Sequence, residues 1–548
     1  MEKQWSSSIK HLSQRGGQLR ALVCGPKASG KSTFSRYLLN HLLSPAPSTE
    51  GGYTASDGVA FLDLDPGQPE FSPMGQVYLA HLRSPFFGPP FTHPTLDNGS
   101  NNNTADGYVH RAHHIGATSP KDDPDHYVLA ATDLMDRYRS LLATYPQCPL
   151  IINYPGWIFG LGLEVASWLV KTLGLSDVVY MSEKGPAEVI EPLAQAAYEA
   201  RVALTTLPSQ PTDFVSRSSA QLRTMQIQSY FHQTQPDTVR NPVWLETPTS
   251  RARPILVDYA GRHPQQRQGI QGVMVLGSQL QHPDLLHDVL DGSIVGIVAV
   301  EQKSLPSILG YHQPDSMDAT NEDDTADTDD MHDRHKQGDV SPAATTTALE
   351  PYITRTAHEN LPYLFTGSGS CTPPDPKTSR CLGLGLVRSI NVSTQKLELV
   401  TPVPGAKIRE TLERDDGGGI ILVRGQLDNP NWAIGEEYYA ARAALQRYQR
   451  RVTQARKSKQ GNVHHTIEPE PESQSQSQSE SDGAKNLLDS TQQSQITDTL
   501  RDRLQRASQA PWMTVVEDDG RRQREAARRE RSLWKLRKRA YPGSESET

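Results

Sequence analysis

A glycine-rich segment near the start of the chain constrains the fold more than any other part of the sequence. An apolar run over residues 19–24, interrupted only by Arg20, leads into Gly25, and an amphipathic stretch begins at Phe34. The segment from Gly25 reads G-P-K-A-S-G-K-S, which has the G-x-x-x-x-G-K-S spacing of a P-loop. A strand before the loop and a helix after it favour a phosphate-binding loop over a chance match among glycine and serine residues. We therefore expect the chain to bind a nucleotide.

The residue types in this loop suit the binding of phosphate. Gly25 and Gly30 can adopt backbone angles closed to other residues, so the N–H groups of the loop can point inward. The positive end of the following helix adds to the attraction for anions. We expect Lys31 to reach the β- and γ-phosphates and the hydroxyl of Ser32 to bind Mg²⁺. The predicted nucleotide-binding residues are Gly25, Pro26, Lys27, Ala28, Ser29, Gly30, Lys31, Ser32 and Thr33.

A second apolar run places two carboxylates where the phosphates are expected. Residues 58–65 read G-V-A-F-L-D-L-D and predict a strand that ends in Asp63 and Asp65. The P-G-Q-P sequence that follows breaks the strand into a turn. In doubly wound folds the chemistry lies at the carboxyl ends of the parallel strands, so both carboxylates should lie beside the P-loop.

Strands and helices alternate through the first part of the chain. Apolar strands are predicted over residues 149–153, 177–181 and 202–204, and helical patterns over residues 125–145 and 216–232. This alternation predicts an α/β fold with a parallel sheet.

Length and composition indicate several domains. The chain has 548 residues, too many for one core, and its hydrophobic content of 36% with 40 Pro and 40 Gly indicates many loops. Its four cysteines form no C-x-x-C pair, which argues against a disulfide framework or a zinc site. The polar N-terminus and the lack of a run of about 20 apolar residues predict an intracellular, soluble protein with no membrane segment.

The net charge of −8 hides two strongly charged segments. Residues 311–340 contain ten acidic and two basic residues and lie in a predicted acidic, disordered insertion at about 313–348. Residues 521–540 contain ten Arg or Lys interleaved with Leu and Trp. This basic segment predicts nuclear or nucleolar targeting, or contact with RNA, and a solvated basic helix is the alternative interpretation.

The pattern changes at about residue 253, where short apolar runs begin to alternate with Gly and Pro. We expect a P-loop NTPase domain over residues 1–250, a β-rich C-terminal domain over 251–450, and a disordered tail of low complexity and basic composition over 451–548. The segment 95–124 is rich in Asn, Gly, Asp and His and is interpreted as a surface insertion. Its His110, His113 and His114 are interpreted as loop residues rather than metal ligands.

Three motifs in order carry a resemblance to a known family. They are the P-loop at 25–33, D-L-D-P-G-Q at 63–68, and N-Y-P-G-W-I-F-G-L-G at 153–162. Together they closely resemble the eukaryotic polynucleotide 5′-hydroxyl kinases, in the branch that works in pre-rRNA processing. The segment 223–232 resembles the lid of that family. Short motifs between residues 381 and 425 resemble its C-terminal domain, so that the resemblance covers roughly residues 18–435 outside the insertions.

The resemblance implies that the chain transfers the γ-phosphoryl group of ATP, with Mg²⁺, to the 5′-hydroxyl end of RNA or DNA. It also implies a HEPN-type endoribonuclease as partner, which leaves the 5′-hydroxyl end in pre-rRNA, and a nucleolar location. The alternative is a non-catalytic scaffold that binds ATP and holds the nuclease and RNA together. A GTPase is disfavoured because no N-K-x-D motif follows, and an ABC-type ATPase because no L-S-G-G-Q signature is present.

The resemblance also suggests roles for individual residues. Asp65 is favoured as the base that accepts the proton of the 5′-hydroxyl, with Asp63 supporting Mg²⁺, although the reverse division stays open. Arg223, in preference to Arg217, is expected to bring a mobile positive charge to the transferring phosphoryl group. The predicted catalytic residues are Lys31, Asp63, Asp65 and Arg223, the metal-binding residues Ser32 and Asp63, and the substrate-binding residues Gln68, Asn153, Gly156 and Trp157.

Several of these residues have structural alternatives. Trp157, expected to stack on a nucleotide, could pack in the core, and Asp63 could be a structural cap rather than a metal partner. Lys27 could face water. The chain also departs from the family pattern in two ways, because only 24 residues precede the P-loop and because Tyr154 stands where the family commonly has Thr. The bulk of Tyr154 makes substrate contacts at that position doubtful.

Overall fold

A computed structural model gives the arrangement of most of the chain. The residues it describes are 2–45, 53–96, 106–182, 185–211, 217–233, 243–260, 269–277, 282–301, 353–365, 373–412, 419–461 and 478–508. Residues 1–430 form one compact unit and residues 431–548 a second. Among the residues described, no helix combines the length and the apolar composition needed to span a membrane.

The first sheet has seven strands in the order β4-β3-β2-β5-β1-β6-β7. Its strands are β1 Arg20–Cys24, β2 Val59–Asp63, β3 Gln76–Leu82, β4 Gly107–His114, β5 Leu150–Asn153, β6 Asp177–Met181 and β7 Ala203–Leu207. The strands β2, β5, β1, β6 and β7 run parallel, as the sequence predicts, and β3 and β4 add an antiparallel edge. The first strand lies near the centre, where it pairs with β5 on one side and β6 on the other.

Helices cover both faces of this sheet. They are α1 Lys3–Ser13, α2 Lys31–Leu43, α3 Pro124–Leu141, α4 Leu161–Thr172, α5 Ala187–Glu199 and α6 Ser219–His232. Residues of β1 alternate between the two faces: Val23 packs with Trp5 and Phe34 of α1 and α2, and Leu22 packs with residues of α3, α4 and α5. This period of two, with every β1 side chain from position 21 onward buried, is why the strand reads as a continuous apolar run.

The prediction of a surface insertion at 95–124 is wrong for residues 107–114, which form the edge strand β4. Its hydrogen bonds to β3 and the burial of His113 and His114 override the polar composition of the segment. The Nε2 atom of His113 lies 2.9 Å from Oδ2 of Asp133, so this polar side chain is paired inside the fold.

The second sheet has eight strands in the order β11-β12-β9-β15-β10-β13-β14-β8, which confirms the predicted β-rich region. Its strands are β8 Ile255–Asp258, β9 Gly272–Val275, β10 Ile294–Val300, β11 Ile353–Arg355, β12 Pro362–Leu364, β13 Ser379–Asn391, β14 Lys396–Val400 and β15 Gly419–Arg424, with short helices α7 Leu286–Leu290 and α8 Gly405–Leu412. The hydroxyl of Tyr230 on α6 accepts a hydrogen bond from the backbone N–H of Leu384 on β13 at 2.8 Å, which joins α6 to this sheet.

The second unit contains two long helices, α9 Asn431–Gly461 and α10 Gln478–Ser508. They pack on one another, and the hydroxyl of Tyr448 donates to the carbonyl oxygen of Gln493 at 3.2 Å. The sequence suggests little fixed structure here, whereas the structure has α10, in which the half-buried Leu500 and Leu504 recur at helical spacing. The predicted domain boundary at residue 450 falls inside α9. The acidic insertion and the basic segment 521–540 lie outside the described residues.

Candidate functional site

The P-loop lies at the carboxyl end of β1 and opens into α2. Gly25 and Gly30 have φ angles of 143° and 97°, and Ala28 has a φ of 65°, so the loop takes the left-handed turns that its glycines permit. A Cβ atom on Gly30 would lie 2.8 Å from the ring of Trp5, which adds a packing reason for glycine at this position. The curled loop and the start of α2 together form a cradle for phosphate.

Lys31 points its charge back into this loop. Its Nζ atom donates to the carbonyl oxygen of Pro26 at 2.9 Å, and its side chain is buried. Burial lowers the pKa of Lys31 from its ordinary value, and the nearby carboxylate of Asp65 partly offsets the effect. The positive charge of Lys31 therefore lies where the P-loop motif predicts the phosphates.

Asp63, at the end of β2, is fully buried and accepts four hydrogen bonds. Its Oδ1 accepts from Nδ2 of Asn153 at 3.0 Å and from the N–H of Asp65 at 3.2 Å. Its Oδ2 accepts from the N–H of Glu70 at 2.8 Å and the hydroxyl of Tyr78 at 2.9 Å. Burial raises the pKa of Asp63 to about 7 despite these donors. Asp63 does not line the cavity described below, so the geometry favours its structural alternative, in which it caps N–H groups of the turn after β2.

Asn153 connects this brace to the P-loop helix. It pairs in register with Asp63 across β2 and β5, and with Val23 across β5 and β1. Its Nδ2 lies 3.4 Å from Oγ of Ser32, and its buried Oδ1 makes no hydrogen bond within the described part of the chain. This amide oxygen of Asn153, beside the Ser32 hydroxyl, is the kind of ligand that Mg²⁺ binds, directly or through water.

A cavity of about 240 Å³ opens in front of these residues. The P-loop and α2 contribute Lys27, Ala28, Gly30, Lys31, Ser32, Thr33 and Arg36, and the turn after β2 contributes Asp65, Gln68 and Glu70. The rest of its wall comes from other segments and consists of Pro90, Phe91, Gly156, Gln210, Arg217, Ser219, Leu222 and Gln226. The structure thus brings Lys31, Ser32, Asp65, Gln68 and Gly156 together around one space. Lys27 is among the lining residues rather than turned away from them.

Asp65 is the carboxylate that faces this cavity. It is half-buried, and its Oδ1 accepts hydrogen bonds from the N–H groups of Gly67 at 2.9 Å and Gln68 at 3.2 Å. Its Oδ2 accepts no hydrogen bond from any residue that the structure describes. One oxygen therefore fixes the carboxylate while the other is available to a ligand.

Helix α6 forms one wall and is tied to the turn after β2. Nε2 of the buried Gln226 donates to the carbonyl oxygens of Pro69 at 2.6 Å and Ser72 at 2.7 Å. Arg217, just before the helix, is exposed and lines the cavity, whereas Arg223 is half-buried and does not. The geometry therefore runs against the sequence-based preference for Arg223 over Arg217.

The motif after β5 contributes backbone to the cavity rather than an aromatic ring. A Cβ atom on Gly156 would lie 2.9 Å from Cα of Lys27, so glycine allows this turn to approach the P-loop. Trp157 is half-buried against the core and does not line the cavity, as in its alternative interpretation. Tyr154 is fully buried and donates to the carbonyl oxygen of Gly162 at 2.8 Å. Its bulk therefore lies in the core, away from the cavity, in keeping with the doubt about substrate contacts at this position.

Sequence reasoning missed several residues of the wall. Arg36 and Glu70 form an ion pair with Nε and Oε1 2.9 Å apart, and Gln210 lies 3.3 Å from the hydroxyl of Thr33. The position of Arg36 four residues after Ser32 puts both on one helix face, which was a usable signal. Phe91 carries no comparable signal, because it belongs to an irregular segment far from the three motifs.

The fold and the site are those of a P-loop nucleotide-binding protein, because a phosphate loop after β1 and a carboxylate after β2 face one cavity. A family model described as "mRNA cleavage and polyadenylation factor CLP1 P-loop" matches residues 25–233. Among solved structures, one of a wild-type Clp1p–Pcf11p complex aligns with 77% of this chain and 78% of its own, at 16% identity and a TM-score of 0.43.

Curated relatives match along the whole chain. A polynucleotide 5′-hydroxyl-kinase grc3 of Aspergillus clavatus is 65% identical over 100% of this chain and 63% of its own length. The protein of the same name from Neosartorya fischeri is 63% identical with the same coverage. A GRC3 protein of Gibberella zeae is 34% identical over 85% of this chain and 57% of its own length. The chain spans less than two thirds of the length of these relatives. Over its whole length the chain is similar to proteins named polynucleotide 5′-hydroxyl kinases.

Proposed function

We propose that this chain carries the phosphotransferase centre of an RNA kinase, which moves the γ-phosphoryl group of ATP to a 5′-hydroxyl end. The observation that supports this most is the shared cavity. Lys31, Ser32 and Asp65 are a cation, a hydroxyl and a carboxylate, and they line a single space at the carboxyl ends of parallel strands. Phosphoryl transfer needs such positioning and charge neutralisation more than covalent chemistry.

In this proposal the 5′-oxygen of the acceptor forms a bond to the γ-phosphorus as the bond from that phosphorus to the β–γ bridging oxygen breaks. Oδ2 of Asp65 receives the proton of the 5′-hydroxyl, and ADP leaves. Lys31 and the N–H groups of the P-loop neutralise the charge of the phosphates. Arg217 lies at the rim and approaches the transferring group from the side of α6.

Mg²⁺ fits the oxygen groups on one side of the P-loop. Ser32 would bind the ion, and Asn153 and Asp63 would support Ser32 from the interior. The ion would supply positive charge to the phosphate oxygens. The four hydrogen bonds of Asp63 orient Asn153 and the turn that carries Asp65, so we assign Asp63 to support and Asp65 to proton transfer.

For the acceptor we propose the 5′-hydroxyl ends of pre-rRNA, produced by a HEPN-type endoribonuclease in the nucleolus. The family resemblance supports this assignment, together with the basic sequence over residues 521–540. RNA contact and nuclear targeting both require such a basic segment to be exposed.

The test compares three acceptors with labelled ATP: a short RNA with a 5′-hydroxyl, the same RNA with a 5′-phosphate, and the equivalent DNA. We expect label on the first and none on the second, and the ratio of RNA to DNA labelling measures the preference for RNA. ATP binding without transfer to any acceptor, with the partner nuclease supplied, would contradict the kinase and favour the scaffold.

A further inference from the structure

The order of strands separates the two ends of the cavity. Strands β2 and β7 lie on opposite sides of β1, which carries the P-loop. Gln210, after β7, contacts the hydroxyl of Thr33 and donates its backbone N–H to the carbonyl oxygen of Ser29 at 2.9 Å. Asp65 follows β2. Phosphates in the P-loop therefore have Gln210 on one side and the proposed base on the other, so the acceptor must enter from the side of β2.

Phe91 is an aromatic residue of the cavity wall. It sits on a short 3-10 helix, Pro90–Thr92, that packs against α6, and its ring is half-buried. Glu70, which follows β2, lines the same cavity and connects to this segment through His93. A phenyl ring has no hydrogen-bonding group, and its natural ligand in a nucleic-acid site is the face of a base.

A buried polar network fixes the segment that carries Phe91. Oε1 of Glu70 lies 2.9 Å from Nε of Arg36 and 3.1 Å from Nε2 of His93, and the Glu70 side chain is 1% exposed. The His93 ring also packs on Phe71, with ring centroids 5.2 Å apart. Because the backbone N–H of Glu70 donates to Asp63, the network also connects to the turn that bears Asp65. These contacts fix the position of the segment that carries Phe91 relative to the turn of Asp65, the proposed base.

We propose that Phe91 stacks on the nucleobase of the acceptor nucleotide that bears the 5′-hydroxyl, with Arg36, Glu70 and His93 as its positioning residues. The inference rests on the proposed function, because it concerns the acceptor of that reaction. Stacking tolerates any base, since each has a π face, but it requires that a base be present. Trp157 packs against the core, which leaves Phe91 as the aromatic side chain on the wall among the described residues.

The test measures binding rather than turnover. Fluorescence anisotropy follows a labelled RNA pentamer with a 5′-hydroxyl as it binds the chain in the presence of a non-hydrolysable ATP analogue. We expect Phe91→Ala to raise the Kd for this RNA roughly ten-fold and Phe91→Trp to restore it. Phe87→Ala is the matched control, since Phe87 lies on the same segment, is 77% exposed and does not line the cavity. An unchanged Kd in Phe91→Ala, an equal loss in the control, or a loss of affinity for the ATP analogue alone would overturn the proposal.

The first comparison of a second arm uses the parent chain alone, so it holds even if Phe91→Ala fails to fold. The parent chain should bind an RNA with an abasic 5′-terminal nucleotide about ten-fold more weakly than the intact RNA. In Phe91→Ala the two RNAs should bind alike. Equal binding of both RNAs by the parent would refute the stack. Since neither arm requires phosphoryl transfer, an inactive chain that still discriminates against the abasic end would refute the kinase and support the stack.

Discussion

Asp63 and Asn153 are direct neighbours across β2 and β5, and Nδ2 of Asn153 donates to Oδ1 of Asp63 at 3.0 Å. The pair joins the ends of two strands on which the proposed chemistry depends, since Asp65 follows the first and Asn153 also reaches Ser32. The buried carboxylate of Asp63 therefore stabilises the ends of both strands, in addition to its proposed support of Mg²⁺. The expectations for the surrounding residues follow from this arrangement.

The stability of the chain should depend on the ionisation of Asp63. Burial raises the pKa of Asp63 to about 7, whereas in the unfolded chain its pKa is near 3.9. Between these values the unfolded state loses its proton first, so the contribution of Asp63 to stability is fully present at low pH and is lost as pH rises toward 7. Asp63→Asn removes this titration. The difference in unfolding free energy between parent and variant should therefore be larger at pH 5 than at pH 8, by on the order of a few kcal/mol.

Denaturant unfolding at the two pH values measures this difference. Asp291→Asn, at an exposed aspartate whose side chain makes no hydrogen bond or ion pair with any residue that the structure describes, is the control for the substitution itself. A difference that grows with pH would mean that Asp63 is stabilised as the charged form by its four donors.

Tyr154→Phe should affect stability and leave the acceptor site intact. The hydroxyl of Tyr154 donates to Gly162 inside the core, so its removal leaves one carbonyl without this partner and should cost about 1 kcal/mol. We expect a slightly lower Tm by calorimetry and an unchanged KM for 5′-hydroxyl RNA. A KM several-fold higher at an unchanged Tm would place Tyr154 in the substrate site after all.

Arg217, just before α6, and Arg223, on α6, are two cations whose contributions to catalysis can be compared directly. Arg217 lines the cavity and Arg223 does not. Arg217→Ala should lower kcat at least ten-fold, because it removes a positive charge available to the transferring phosphoryl group, and Arg223→Ala should change kcat by less than about three-fold. Steady-state kinetics with labelled ATP checks both, and the reverse ranking would restore the preference based on sequence.

The sequence predicts the framework of this site well because short motifs determine it. The spacing of the glycines with Lys31 and Ser32 predicts the P-loop, and the apolar run that ends in Asp63 and Asp65 predicts the two carboxylates at the end of β2. Residues whose side chains could turn either way were less predictable. This applies to four residues at strand ends and turns, Asp63, Asp65, Tyr154 and Trp157. Only the packed structure shows that Asp65 lines the cavity while the other three pack against the interior.

What the sequence could not predict depends on contacts between distant segments. Strand β4 is polar in composition, and its place at the sheet edge depends on pairing with β3 and on partners such as Asp133 for His113. Phe91 reaches the cavity through the Glu70 network rather than through a local pattern. Propensity and spacing carry no information on such long-range pairing.

The measurement that tests the account most directly is single-turnover transfer from labelled ATP to a 5′-hydroxyl RNA by the parent, Asp65→Asn and Lys31→Ala. We expect transfer by the parent and a loss of at least a hundred-fold in rate for each variant, with nucleotide binding retained in Asp65→Asn because that carboxylate serves the acceptor. The control Asp291→Asn, at a residue that does not line the cavity, should transfer at the parental rate. Transfer by Asp65→Asn at a rate close to that of the parent would contradict the assignment of Asp65 as the base, and with it the proposal that this cavity is the phosphotransferase centre.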